Sequence, residues 1–364
     1  MPSLFPVHEP NRHWGCRVND RIVWNDIRSV ILQNELLQIV VHIDKGTEIT
    51  QFLYKPLDVD FIWRGHRDLH NPANFASGYG TDSTPFFDHW SGGWFEVVPN
   101  NGPGCDYKNT HLGFFGETTN IPWEYHILED TPERVRVAFW VKTYRTPLLL
   151  RKTLTLVSGK AALFIEEEVT NYGGEPVDFA WGHHPVIGPP FLDGSCRIAC
   201  PDSRVIVLHD EDGPDHRMQL HQEGRWPWVK DLNGNPLDLR VVLPAEAKTM
   251  DNCYLTDFRE GWVGVTNLAQ GVGFGFAWDT AVFRYFWLWQ AFGGGKGFPW
   301  YSHSYQMGIE PWSSYPCAGL QEAISNGTAL RLDPGDSRRS WLTAVAYRSD
   351  REPILIHRDG NVEY

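Results

Sequence analysis

Apolar and polar residues alternate with a period of two in one short run after another along this chain. Examples are RVRVAFWVKTY at 134–144, LLLRKTLTLV at 148–157, ALFIEEEVTN at 162–171 and WLTAVAYR at 341–348. Shorter apolar runs such as LLQIVVH, RVIVLH, WVGVTN and GVGFGFAW lie between them, separated by Gly, Pro, Asn and Asp clusters. Alternation puts one set of side chains on each face of a pleated strand, so these runs predict strands with one buried face. Windows able to hold a long amphipathic helix are few, and PCAGLQEAIS at 316–325 offers one or two turns at most. The expectation is an all-β sandwich or barrel. With no repeat period, low-complexity tract or linker-like shift in composition, residues 1–364 are expected to form a single domain.

Two segments break the strand pattern and are expected to rim a cleft. They run from GHRDLHNPANF to TTNIPW (65–123) and from WQAFGGGKGFPW to GIEPWSSYP (289–316), and both are rich in Trp, His, Asn and Gly. Long irregular stretches in a compact chain tend to carry function. Of the 17 Trp, several fall there beside polar groups, as in HWSGGWFE, NIPWEY, FWLWQ and FPWY. A Trp in a large β-protein is more often core than ligand platform. Trp clustered with His, Asn and Glu in loops suits the C–H faces and hydroxyl edges of a sugar, so a small-molecule carbohydrate is the expected partner.

Other classes lose support. Acidic residues outnumber basic ones 45 to 32, giving a formal net charge of −13 without any basic block. Nucleic acid and anionic membranes are therefore poor partners. No apolar run reaches eighteen residues and the start, MPSLFPVHEPNRHWGC, shows no export pattern, so a soluble cytoplasmic protein is expected. Cys16, Cys105, Cys196, Cys200, Cys253 and Cys317 follow no C-x-x-C spacing and read as free thiols, mostly buried. GVGFGF lacks the third glycine of a dinucleotide fingerprint, and GGGKG has Gly297 where a phosphate loop needs Ser or Thr. No G-x-S-x-G or H-E-x-x-H occurs, so hydrolase and zincin readings have no local support.

Several blocks, in order from about residue 90 to 320, resemble the galactose mutarotase-like superfamily, in particular aldose 1-epimerase-related proteins. They are GGWFEVVPNNG, LTLVSGKAALFIEEEVTNYGGEPVDFAWGHHPV, DNCYLTD, and YFWLWQ followed by MGIEPWSSYP. The resemblance implies a large antiparallel β super-sandwich and a cofactor-free exchange of the α and β anomers of an aldose. In that reaction a base takes the anomeric hydroxyl proton, an acid protonates the ring oxygen, and the ring opens and recloses. It makes Glu310 the general base, His184 the general acid and Asp251 a ligand of sugar hydroxyls. His183, the preceding residue, either supports His184 or packs on the other face of the strand. Trp289 and Gln290 are expected to line the cleft. Relatives carry a loop histidine where FGETTNIPW has Phe115; His111 or Glu117 is the candidate to fill that space, and Arg64 is a further candidate sugar ligand.

Three readings stand on these residues. The first is an aldose 1-epimerase, with a 6-phosphorylated sugar as a variant to which Lys108, Arg284 or Lys296 would contribute. The second is a sugar-binding protein without catalysis, motivated by Phe115. The third is a glycoside-cleaving enzyme pairing Glu310 with Asp251 or Glu117. If His184 works protonated and Glu310 ionised, the rate is expected to fall on both sides of an optimum near neutrality.

Overall fold

The computed structural model describes residues 8–9, 11–75, 81–208 and 215–364. Residues 1–7 and 10 of the start read for export, part of the first irregular segment (76–80) and the last residue of RVIVLH lie outside them. The chain is all-β and antiparallel, with a 14-stranded sheet facing an 8-stranded one. Seven strands frame the candidate site and the layer behind it: Trp94–Val97 (β1), Leu148–Val157 (β2), Ala162–Asn171 (β3), Gly182–Ile187 (β4), Thr249–Thr256 (β5), Tyr285–Phe292 (β6) and Tyr305–Trp312 (β7). In the larger sheet five of these run side by side in the order β1-β4-β7-β6-β5, and β2 and β3 are neighbours in the smaller one.

The smaller sheet explains why alternation was visible. Along Arg134–Lys142, Val135, Val137, Phe139 and Val141 are buried while their neighbours are partly or fully exposed. In β2 the inward set is Leu148, Leu150, Lys152, Leu154 and Leu156, an apolar row interrupted by one cation. Fully burying each such aliphatic or aromatic side chain contributes on the order of 1.5–3 kcal/mol. One continuous cluster of buried side chains, including Phe52, Phe139, Leu163, Phe274 and Ile309, joins the two sheets.

The larger sheet is covered on both faces at its centre. β4 is buried at every position, and β6 and β7 at all but their first residue. A strand buried on both sides needs no alternation, which corrects the expectation that 289–316 is irregular: only 293–304 departs from strand between β6 and β7. The 65–123 segment is irregular only in part, since it holds β1, short strands at Cys105–Tyr107 and Thr110–Leu112, and a helix, Thr84–His89 (α1), that the sequence reading missed. PCAGLQEAIS supplies a short helix over Leu320–Ser325. All six cysteines are free thiols, four of them buried.

Candidate active site

The hydrogen-bond register between β4 and β7 pairs Gly182 with Trp312 and Val186 with Gly308, which sets His184 directly across from Glu310. Both side chains point to the sheet face away from the core, and His184 Nε2 lies 3.6 Å from Glu310 Oε1. Gly308 makes room for the carboxylate, since a Cβ there would stand 2.2 Å from Glu310 Oε1. The Trp312 indole N–H donates to Glu310 Oε2 at 3.0 Å, and Trp312 is itself stacked on Trp287 at 4.1 Å. The carboxylate is thereby aimed by a ring that has no freedom to turn.

His184 lies flat against Phe95, with ring centroids 5.0 Å apart and planes 7° from parallel, and is 6% exposed. Burial pushes its imidazole down to about 3, so it is neutral at pH 7. The unfolded imidazole titrates near 6.5, so the folded state binds fewer protons between those two values. Stability tied to His184 is therefore complete above pH 6.5 and is lost as pH falls toward 3, with a slope of about 1.4 kcal/mol per pH unit. Unfolding measurements at pH 7 and pH 5 should show a smaller loss in His184→Gln than in the wild type; equal losses would mean that the imidazole is not held neutral.

An aromatic pocket opens above this pair. α1 supplies Phe86 and Phe87, the turn after residue 113 supplies Phe114 and Phe115, β6 supplies Trp287 and Trp289, and Trp90 and Trp300 come from the flanking loops. Phe115 adopts a left-handed backbone conformation with φ of 54° and packs against His184 with ring centroids 5.2 Å apart. The polar lining consists of His184, Glu310, Asn252 and Cys317. His184 Nδ1, Trp90 Nε1 and Trp289 Nε1 are buried and have no hydrogen-bond partner among the described residues. Two indole donors and an imidazole nitrogen left this way are costly unless a polar ligand meets them.

The sequence candidates divide. His184, Glu310 and Trp289 meet in the pocket. Asp251 does not line it: β5 alternates, so Asn252, which pairs with Trp289, faces the pocket, while Asp251 faces away. Its carboxylate accepts from the Arg217 backbone N–H at 2.7 Å and from Arg217 Nε at 2.5 Å. Gln290 is corrected likewise, with Oε1 accepting from Arg217 Nη2 at 2.7 Å on that same face. Glu117 is buried and caps a turn, accepting from the backbone N–H groups of Tyr144 and Arg145 at 2.7 and 2.9 Å. His111, 47% exposed, sits in an outer groove between Asp82 and Asp106. Arg64 bonds Thr50 O and Asp60 Oδ2 and lines another cleft. Neither His111 nor Glu117 occupies the space by Phe115. Asn252, Trp90 and Gly308 were missed; Asn252 was legible, because a strand that puts Trp289 in the cleft must put its cross-strand partner there too.

His183 occupies the other face of β4. Its Nε2 lies 2.8 Å from Glu167 Oε2, and its Nδ1 accepts from the Trp94 indole N–H at 3.2 Å. With Glu96 and Glu167 it forms, among the described residues, a buried group with atoms close enough to share a metal ion. The donor set does not suit one. An indole N–H only donates, so Nδ1 is a bare acceptor and the ring proton sits on Nε2, directed at Glu167. Lys152 Nζ already supplies a cation, 2.5 Å from Glu96 Oε1.

Residues 26–229, over half of the chain, match the profile of a family described as a domain of unknown function (DUF4432). No curated protein matches the chain. Among solved structures it is similar to a provisionally named aldose 1-epimerase from Klebsiella pneumoniae subsp. pneumoniae, at 17% identity and a TM-score of 0.71 over 92% of this chain and 84% of that one. It is also similar to a galactose mutarotase related enzyme from Lactobacillus acidophilus, at 15% identity and a TM-score of 0.60 over 90% of this chain and 100% of that one. A galactose mutarotase-like protein from Clostridium acetobutylicum shows 11% identity and a TM-score of 0.61 over 92% of this chain and 99% of that one. At these identities the likeness is one of fold, and the fold is galactose mutarotase-like.

Proposed function

This chain belongs to the DUF4432 family and is built on a galactose mutarotase-like fold, and we propose that it is an aldose 1-epimerase, interconverting the α and β anomers of an aldose. The observation that carries the proposal is the buried His184–Glu310 pair, 3.6 Å apart at the floor of an aromatic pocket. Trp and Phe faces offer apolar platforms for the C–H surface of a sugar ring, and the unpartnered indole donors offer hydrogen bonds to its oxygens.

In this mechanism Glu310 takes the proton from the anomeric hydroxyl while the ring oxygen receives one from His184 Nε2. The imidazole is replenished across the gap by the proton that Glu310 took, so the pair ends each opening with the charge it began with. Rotation about C1–C2 and reclosure run the same transfers in reverse. Neutral His184 bears on the expectation of an optimum near neutrality. Burial removes the imidazole titration from that range, so the pH profile of kcat/KM for anomer exchange should carry no limb from His184 between pH 5 and 8. A bell centred near 6.5 would show an ordinary, titrating histidine and would sink this form of the mechanism.

Glycoside cleavage fits less well. The carboxylates expected to join Glu310, Asp251 and Glu117, are both held away from the pocket by other partners, leaving Glu310 as the carboxylate among its lining residues. Magnetisation transfer between the two anomeric protons, measured by NMR across neutral and phosphorylated aldoses, tests the proposal. Exchange faster than in buffer supports the epimerase. Binding with exchange at the buffer rate would establish a sugar-binding protein, with Phe115 as the departure to examine.

A further inference from the structure

The pocket has two chemically different ends. Trp90 and Trp289 pack against His184, Glu310 lies beside it and Asn252 pairs with Trp289, so these polar groups mark the side where the proton transfers take place. The wall formed by Phe86, Phe87 and Phe114 is hydrocarbon, and its rings contact one another with centroids 5.2 Å apart in each pair, while Trp300 packs among Trp289, Trp90 and Phe87 at 5.1, 5.4 and 6.0 Å. Eight of the twelve lining residues are Phe or Trp, and none is Lys or Arg.

The cations suggested for a sugar phosphate are engaged elsewhere. Lys108 pairs with Glu175 at 3.0 Å, Lys296 with Asp215 at 3.4 Å, and Arg284 donates to the carbonyls of Ser313 and Thr328. Residues 76–80 and 209–214 contain no Lys or Arg. A phosphate dianion placed beside Glu310 would find no counter-charge in the lining. A neutral hexose meets a smaller version of the same difficulty. Once Glu310 and His184 are committed to the anomeric carbon and the ring oxygen, the unpartnered donors left in the lining among the described residues are the Trp90 and Trp289 indole N–H groups, and a C6 hydroxyl against the Phe wall would lose its water without replacement.

We infer that the pocket selects a neutral aldose with no hydroxyl on C6, a 6-deoxyhexose or a pentose, whose hydroxyl-free end lies on the wall of Phe86, Phe87 and Phe114. This deepens the epimerase reading and rests on it. The selectivity is one of degree, because an apolar pocket discriminates against an added hydroxyl by roughly ten- to hundredfold.

Matched pairs test it: L-fucose against L-galactose, L-rhamnose against L-mannose and 6-deoxy-D-glucose against D-glucose, with D-glucose 6-phosphate as the charged probe. Anomer exchange is followed by NMR magnetisation transfer, and binding of each sugar by saturation-transfer difference. The expected result is a kcat/KM roughly ten- to hundredfold higher for the deoxy member of the pair that is turned over, no acceleration with the phosphate, and a narrower ratio in Phe87→Gln. A ratio at or below one, or faster exchange of the phosphate than of D-glucose, would overturn the inference. If no sugar is exchanged but the deoxy members bind preferentially, the epimerase reading falls and the selectivity stands. If no sugar binds, both fall.

Discussion

Glu310→Gln should lower the catalysed rate of anomer exchange by roughly two to four orders of magnitude while leaving sugar affinity within about threefold. The substitution keeps the size of the side chain and an oxygen able to accept from the Trp312 indole, now 3.0 Å from Oε2, so the packing around it has no reason to change. What disappears is the ability to take a proton. The amide also cannot replenish the imidazole across the 3.6 Å gap, so His184 loses its source of protons together with the base. A loss shared between kcat and kcat/KM would locate the defect in the transition state, whereas a raised KM with kcat intact would mean that Glu310 only binds sugar. A rate within threefold of the wild type would remove Glu310 from the mechanism.

Much of this site was legible because its residues lie on strands in a fixed register. The E-P-W and H-H-P blocks are far apart in sequence, yet antiparallel pairing of β4 and β7 brings Glu310 and His184 face to face. The errors are errors of face. Asp251 and Gln290 each lie one residue from a pocket residue, Asn252 and Trp289, and a strand turns over at every step. Where both faces are buried the apolar pattern carries no phase, so residue type cannot say which side is the pocket. α1 and the two phenylalanines it supplies were illegible for another reason: a helix of six residues shows no measurable period, and its place over the pocket depends on long-range packing against Phe114 and Phe115.

The same alternation divides the paired histidines into two environments one residue apart. His184 meets the pocket, where burial keeps its imidazole neutral and Nδ1 has no protein partner among the described residues. His183 faces the core with both nitrogens engaged, by Trp94 and Glu167. The core face fixes β4 in place, and the pocket face then inherits that precision, because a slip of the strand would have to break the Trp94–His183–Glu167 chain.

Lys152→Met should have the largest effect on stability, a loss of about 3–5 kcal/mol. Lys152 is 2% exposed and lies on the inner face of β2 with its ammonium 2.5 Å from Glu96 Oε1, beside the Trp123 ring. Its ammonium pairs with the buried Glu96 carboxylate, and His183 cannot replace it, because that ring bonds Trp94 and Glu167 instead. Methionine fills the space and leaves the buried Glu96 carboxylate without a cation. Burial already pushes the Glu96 carboxyl up, with Lys152 opposing and Glu167 adding to the rise, so the variant should respond by protonating Glu96. Its denaturation midpoint should then recover as pH falls from 8 to 5, relative to the wild type. Adding Glu96→Leu should restore most of the loss, since Glu167 keeps its bond from His183 and the remaining contact becomes apolar. A loss below about 1 kcal/mol in Lys152→Met would mean that Glu96 is already protonated in the native protein and does not draw on the lysine's charge. Anomer exchange by whatever fraction of the variant is folded should stay within about threefold of the wild type, because the damaged layer lies behind β4 and the chemistry in front of it.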